Sequence, residues 1–221
     1  MYMTKTYYKA LPNGYTLTDT ENIKLYIPDI ANDTDRTIAT EDAIDALLAS
    51  RVVGDIPQEE TTKRSNIFRF SFTLFGLTNG ISVDTIMNNQ KAANKLEDIF
   101  VLRGKDLAKK AVALDTYAYM KDMTLTEEEF LDLVPPMIRM AAHNDIKVLE
   151  DSDDLDGLIN GAMREKVRTH IFNTSEIIYT HNFLATQRTR QENLNRLKND
   201  PVDYLLNCTV DEFGDCGIDW M

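Results

Sequence analysis

The chain has 221 residues, 43% of them hydrophobic and 27% charged, an ordinary globular composition that excludes an intrinsically disordered chain. Its 24 Lys plus Arg stand against 36 Asp plus Glu, a formal net charge of -12 that repels phosphate backbones and disfavours sequence-independent nucleic-acid binding by the whole surface. Two cysteines, Cys208 and Cys216, are too few for a secreted disulfide scaffold, and no run approaches the ~20 apolar residues that span a bilayer.

Residues 1–10 are polar and charged, so no signal peptide is expected. Residues 1–35 read as β and loop. Residues 4–11 are rich in Tyr and Thr, Pro12-Asn13-Gly14 supplies turn chemistry, and residues 15–18 return as a partner strand, a predicted hairpin. Residues 23–27 alternate apolar and polar side chains until Pro28 stops them. Thr40 reads as a helix N-cap, with Glu41 and Asp42 in the first turn and Ile44, Leu47 and Leu48 on one apolar face; Gly54 closes that helix. Residues 55–65 read as a polar connector. Residues 66–75 give the clearest strand pattern, with Phe68, Phe70, Phe72 and Leu74 alternating with Arg69, Ser71 and Thr73.

From Ser82 the periodicity turns helical. Ser82 caps a helix predicted to reach about Leu102, with Ile86, Leu96, Ile99 and Phe100 at helical spacing. Gly104 is expected to break it, and Leu107, Ala111, Leu114 and Ala118 form a second helix. Thr126 with Glu129 three residues on is a capping box. Pro135-Pro136 interrupts the helix that follows, and residues 137–149 resume it. Residues 151–157 form an acidic loop.

Residues 155–199 contain no proline, and Leu155, Ile159, Met163, Val167 and Ile171 make an i, i+4 stripe. This is one very long helix, or two with a break at Asn173-Thr174-Ser175. Its second half, residues 187–198, has few apolar side chains and is expected to project toward solvent or a partner. Asp200-Pro201 ends it. The fold class is therefore mainly α: a helical bundle with a long C-terminal helix and a small β-hairpin N-terminal region. The expected segments are 1–81 (β-containing), 82–200 (bundle) and 201–221 (a tail serving as an interface arm).

The sequence offers little chemistry. From Ser152 it reads Ser-x-Asp-x-Asp-Gly, close to a calcium loop, but Ser152 holds the first position and Met163 the twelfth, where a carboxylate is needed. An acidic helix start accounts for it better. His143, His170, His181 and the two cysteines are scattered, without zinc-ligand spacing. Gly104-Lys105 lacks the rest of a phosphate loop, and Glu127, Glu128 and Glu129 fit a capped helix turn. No catalytic, cofactor or metal residue is assigned, no cofactor is expected, and the chain reads as a non-enzyme.

Arg164, Lys166 and Arg168, then Arg188, Arg190, Arg196 and Lys198, make the long helical segment locally basic. They suggest either a solvated face or one that docks an acidic partner or nucleic acid. Trp220 is costly to leave in water and suits an interface or its own core. The partner-binding candidates are Arg188, Arg190, Arg196, Phe213 and Trp220.

These features lead to the expectation of a non-enzymatic structural or assembly protein with protein partners. It is expected to form homo-oligomers, without membrane contact and with nucleic-acid binding disfavoured by charge. In general layout the chain resembles the ring-forming adaptor proteins between portal and tail of tailed bacteriophages. That resemblance implies a head-to-tail connector subunit of a virion. The alternative is a small regulatory adaptor that binds an enzyme or a nucleic-acid complex. The expected location is intracellular (cytoplasmic) or in the virion, not secreted.

Overall fold

The computed structural model describes residues 6–9, 13–29, 33–180 and 183–214, with side chains 7–9, 33–35 and 183–189 left aside. Among these residues the chain is mainly helical, with eleven helices and six short strands. It divides into two compact units. The first takes residues 1–27, 31–54 and 110–180; the second takes 28–30, 55–109 and 181–221. This differs from the expected linear division, because each unit draws on both sides of residue 82.

In the first unit, β1 (Thr6–Lys9) pairs antiparallel with β5 (Thr124–Thr126). β2 (Thr16–Leu17) pairs antiparallel with β4 (Val52–Val53), and β3 (Lys24–Pro28) lies beside β6 (Glu176–Thr180). The predicted hairpin between residues 4–11 and 15–18 is thus not formed by the described strands. The turn itself is present, with Gly14 at φ 81°. Its neighbour Asn13 accepts from the Tyr15 backbone at 3.1 Å and donates to Thr116 Oγ1 at 3.0 Å, which ties the turn to a helix instead of to a returning strand.

α1 (Asp33–Ser50) starts well before Thr40. Thr40 is buried inside it and donates to the Arg36 carbonyl at 2.7 Å, a bond back along the helix and not a cap. Ile44 and Leu48 face the core, as the apolar face predicts. α5 (Glu127–Leu133) opens on the predicted capping box: Thr126 Oγ1 accepts from Glu129 N at 3.3 Å, and Thr126 N donates to Glu129 Oε2 at 2.9 Å. After Pro135, α6 (Pro136–Ala141) and α7 (Ile146–Glu150) replace the single helix expected over 137–149. The break falls at His143 and Asn144, both at positive φ. α8 (Leu155–Thr174) brings Ile159, Met163, Val167 and Ile171 to the core beside Leu25, Ile27 and Phe130.

The proline-free stretch is two helices, with the break where Asn173-Thr174-Ser175 suggested. Between them lies β6, a strand the sequence reading lacks. Ile177, Ile178, Tyr179 and Thr180 favour extended backbone, and Glu176 N donates to the Ile23 carbonyl at 3.0 Å.

The second unit contains α2 (Gln58–Asn79), α3 (Val83–Met87) and the first part of α4 (Gln90–Met120), whose residues from Lys110 onward belong to the first unit. It also contains α9 (Phe183–Asn199), α10 (Pro201–Asn207) and α11 (Val210–Gly214). Ser82 caps α3 by accepting from Thr85 N at 3.3 Å, and Asp200 with Pro201 opens α10. Gly104 does not break α4. A Cβ there would lie 2.0 Å from Ser65 Oγ and 2.6 Å from Ser65 N, so glycine is what lets α2 approach this closely.

The strand expected at residues 66–75 is helical, the middle of α2. Every second residue of a helix turns by about 200°, so alternating apolar residues fall on opposite faces. Phe68 and Phe72 point inward and Phe70 and Leu74 outward. The inward pair builds an aromatic core, with Phe68 to Phe100 at 5.9 Å, Phe72 to Phe100 at 5.7 Å and Phe72 to Phe213 at 5.5 Å between ring centroids.

Candidate interaction surface

α2 is apolar on both sides. Its inner side buries Phe68, Phe72 and Phe75. Its outer side exposes Ile67 (46%), Phe70 (65%), Leu74 (38%) and Leu77 (74%). The steps of three, four and three residues line these four side chains into one stripe. Large apolar side chains arranged this way mark an interaction site more often than singly scattered ones do.

The borders of the stripe are neutral. Thr73 and Thr78 donate back to their own helix, to the Arg69 carbonyl at 3.0 Å and the Leu74 carbonyl at 3.1 Å, which turns their hydroxyls away from an incoming partner. The charged residues of α2 all fall between residues 59 and 69: Glu59, Glu60, Lys63, Arg64 and Arg69. Glu60 binds Arg64 at 2.8 Å; Arg69 binds Glu97 and stacks 5.3 Å over the Phe100 ring. Residues 70–79 carry no charge, and Gly80 at φ 70° ends the helix in a left-handed cap.

The basic residues of α8 do the opposite. Arg164 makes a two-pronged bond to Asp115 at 2.9 and 2.8 Å. Lys166 donates to the Thr124 carbonyl at 2.7 Å and binds Glu129. Arg168 makes a two-pronged bond to Asp45 at 2.9 and 2.7 Å and also binds Glu165. Burial works against the Arg168 charge, but hydrogen bonds and charge from Asp45, then Glu165, outweigh it and raise its pKa. These three residues are committed to their own unit rather than spread on a solvated or docking face.

A cavity of about 220 Å³ in the first unit is lined by Thr40, Glu41, Ile44, Glu165, Arg168 and Phe172, among others. Burial, followed by the charge of Glu165, raises the Glu41 carboxyl above its ordinary range. Arg168 is held by two carboxylates, so it could receive an anion here only by giving up those bonds. Among the described residues no group of three or more His, Cys, Asp or Glu is placed to hold a metal ion. Burial pushes the Cys208 thiol up, which keeps it in the unreactive form.

The sequence candidates separate. Phe213 is fully buried against Phe68 and Phe72, so it completes the unit's own core. α11 holds it there through a second capping box that the sequence reading missed, Thr209 with Glu212, whose two bonds measure 2.8 and 3.2 Å. The described part of the expected tail, residues 201–214, thus holds the two short helices α10 and α11. Arg190 is half-buried, and Arg196 is exposed with its guanidinium 5.2 Å over the Tyr204 ring. The Arg188 side chain and Trp220 lie outside the described residues. The expectation that residues 187–198 project is also corrected for their described part: Leu197 is fully buried and Leu194 packs beside it.

Among the described residues, α2 thus carries a contiguous exposed apolar face. Period-two alternation of large apolar residues was its signal in the sequence, read there as a strand. No described helix is long and apolar enough to cross a membrane. Comparison with known proteins finds no matching family model, no matching curated protein and no matching solved structure.

Proposed function

We propose that the chain is a non-enzymatic assembly subunit that binds protein through the outer face of α2. The observation that carries this reading is the stripe of Ile67, Phe70, Leu74 and Leu77, left exposed on a helix whose other side is already packed. The apolar core of a protein interface is depleted in charge, as this face is. The internal pairing of Arg164, Lys166 and Arg168 takes one of the two basic groups of the sequence out of competition for nucleic acid.

The narrower proposal is a connector subunit between the head and tail of a tailed phage, and it rests on general layout alone. Negative-stain electron microscopy tests it. Rings of the purified protein, or density at the head–tail junction of particles, are expected. A monodisperse monomer that binds no neighbouring gene product would overturn both the broad and the narrow reading.

A further inference from the structure

The geometry points to a second copy of this chain as the occupant of the α2 face, with the two α2 helices antiparallel across a two-fold axis. This rests on the α2 reading above and names its partner. Charge is the first reason. Two copies at net charge -12 repel at long range, so self-contact is favoured where charge is absent. Residues 70–79 and the neutral borders of the stripe supply such a place.

Spacing is the second reason. The order 67, 70, 74, 77 reads the same in both directions, with its midpoint at residue 72. Antiparallel pairing sets Phe70 against Leu74 of the other copy and Ile67 against Leu77, with one surface serving both subunits. It also moves the two charged first turns to opposite ends. Parallel pairing would stack Lys63 on Lys63 and Glu59 on Glu59, at a cost. The stripe is about 15 Å long by helix rise. That is short against the roughly 800 Å² per partner of a standard interface, so a weak dimer in the micromolar range is expected. Such a contact closes on itself, and a larger ring would need a second, different interface.

Sedimentation velocity of the full chain over a wide concentration range tests this. The wild type is expected to approach twice its own mass. Phe70→Glu and Leu77→Glu are expected to weaken association at least tenfold, with circular dichroism unchanged. In a Cys216→Ser background, Phe70→Cys mixed with Leu74→Cys is expected to give an intermolecular disulfide that neither gives alone. A disulfide from Phe70→Cys alone would overturn the antiparallel arrangement. An oligomer indifferent to both glutamates would overturn this contact and leave the assembly reading standing. A monomer at every concentration would overturn the second copy. If that monomer also binds no neighbouring gene product, the assembly reading falls with it.

Discussion

α8 and α2 handle their side chains in opposite ways. α8 carries Arg164, Lys166 and Arg168, residue types that belong in water, and binds each to a carboxylate of its own unit. α2 carries Phe70, Leu74 and Leu77, residue types that belong inside, and leaves them in solvent. Composition alone would assign the binding face to the basic helix. The bonds already made within the fold support the proposal that it lies on the apolar one, because a side chain is available for recognition only when its own unit does not already satisfy it.

The sharpest way to break this comparison is within α2 itself. Phe72→Ala is expected to cost about 4 kcal/mol in urea unfolding, because it opens a cavity in the aromatic core. Phe70→Ala, two residues away, is expected to change stability by less than about 0.5 kcal/mol. Similar losses at both positions would mean that α2 has no outer face. For α8 the matching change is to its partner on α1, Asp45→Ala, expected to cost about 3 kcal/mol because it leaves Arg168 with Glu165 alone. Adding Arg168→Met should recover part of that loss, a coupling that a double-mutant cycle reads directly.

Local signals were legible in the sequence; those set by a distant neighbour were not. Thr126 with Glu129 and Asp200 with Pro201 act within one helical turn, and both appear where the pattern puts them. Gly104 reads as a breaker until Ser65 is known to press against it, and nothing near residue 104 announces Ser65. Thr40 likewise has cap chemistry but lies within a longer helix. The strand pattern at residues 66–75 failed for a more useful reason. Alternation implies one buried face only if the backbone is extended; on a helix it implies two apolar faces. The α2 surface was therefore visible in the sequence under the wrong geometry. No such reading was open for the buried Leu197, since the sparse apolar residues of α9 do not announce the core that it joins with Tyr204 and Leu205 of α10 and Phe213 of α11.

Gly104→Ala tests the long-range part. It is expected to cost about 2 kcal/mol by overpacking. Ser65→Ala should not rescue it, because the new methyl meets the Ser65 backbone N at 2.6 Å and Cα at 2.8 Å as well as the hydroxyl. Full rescue by Ser65→Ala would show that the helices have room to separate.

The smallest effects concern acid, and here two glutamates of the first unit pull in opposite directions. For Glu129, burial opposes the charged form, but bonds from Lys166 and Thr126 prevail and lower its pKa. A lowered folded-state value means that ionised Glu129 stabilises the fold. That contribution is complete above the unfolded value of about 4.3 and is lost as pH falls through the lower folded value. Its side chain is 39% exposed, so solvent screening holds the effect of Glu129→Gln at pH 7 below about 1 kcal/mol. Glu41 has the reverse sign. Its raised folded value means that ionisation opposes folding, from the unfolded value upward. Glu41→Gln is therefore expected to stabilise slightly at neutral pH. As pH is lowered in chemical-denaturation series, the Glu41→Gln gain should vanish first, by about pH 4.3, while the Glu129→Gln deficit persists to more acid solution. Loss of both differences together would mean that the two carboxyls share one environment, and that α8 does not sort its partners into bound and unbound as its bonds imply.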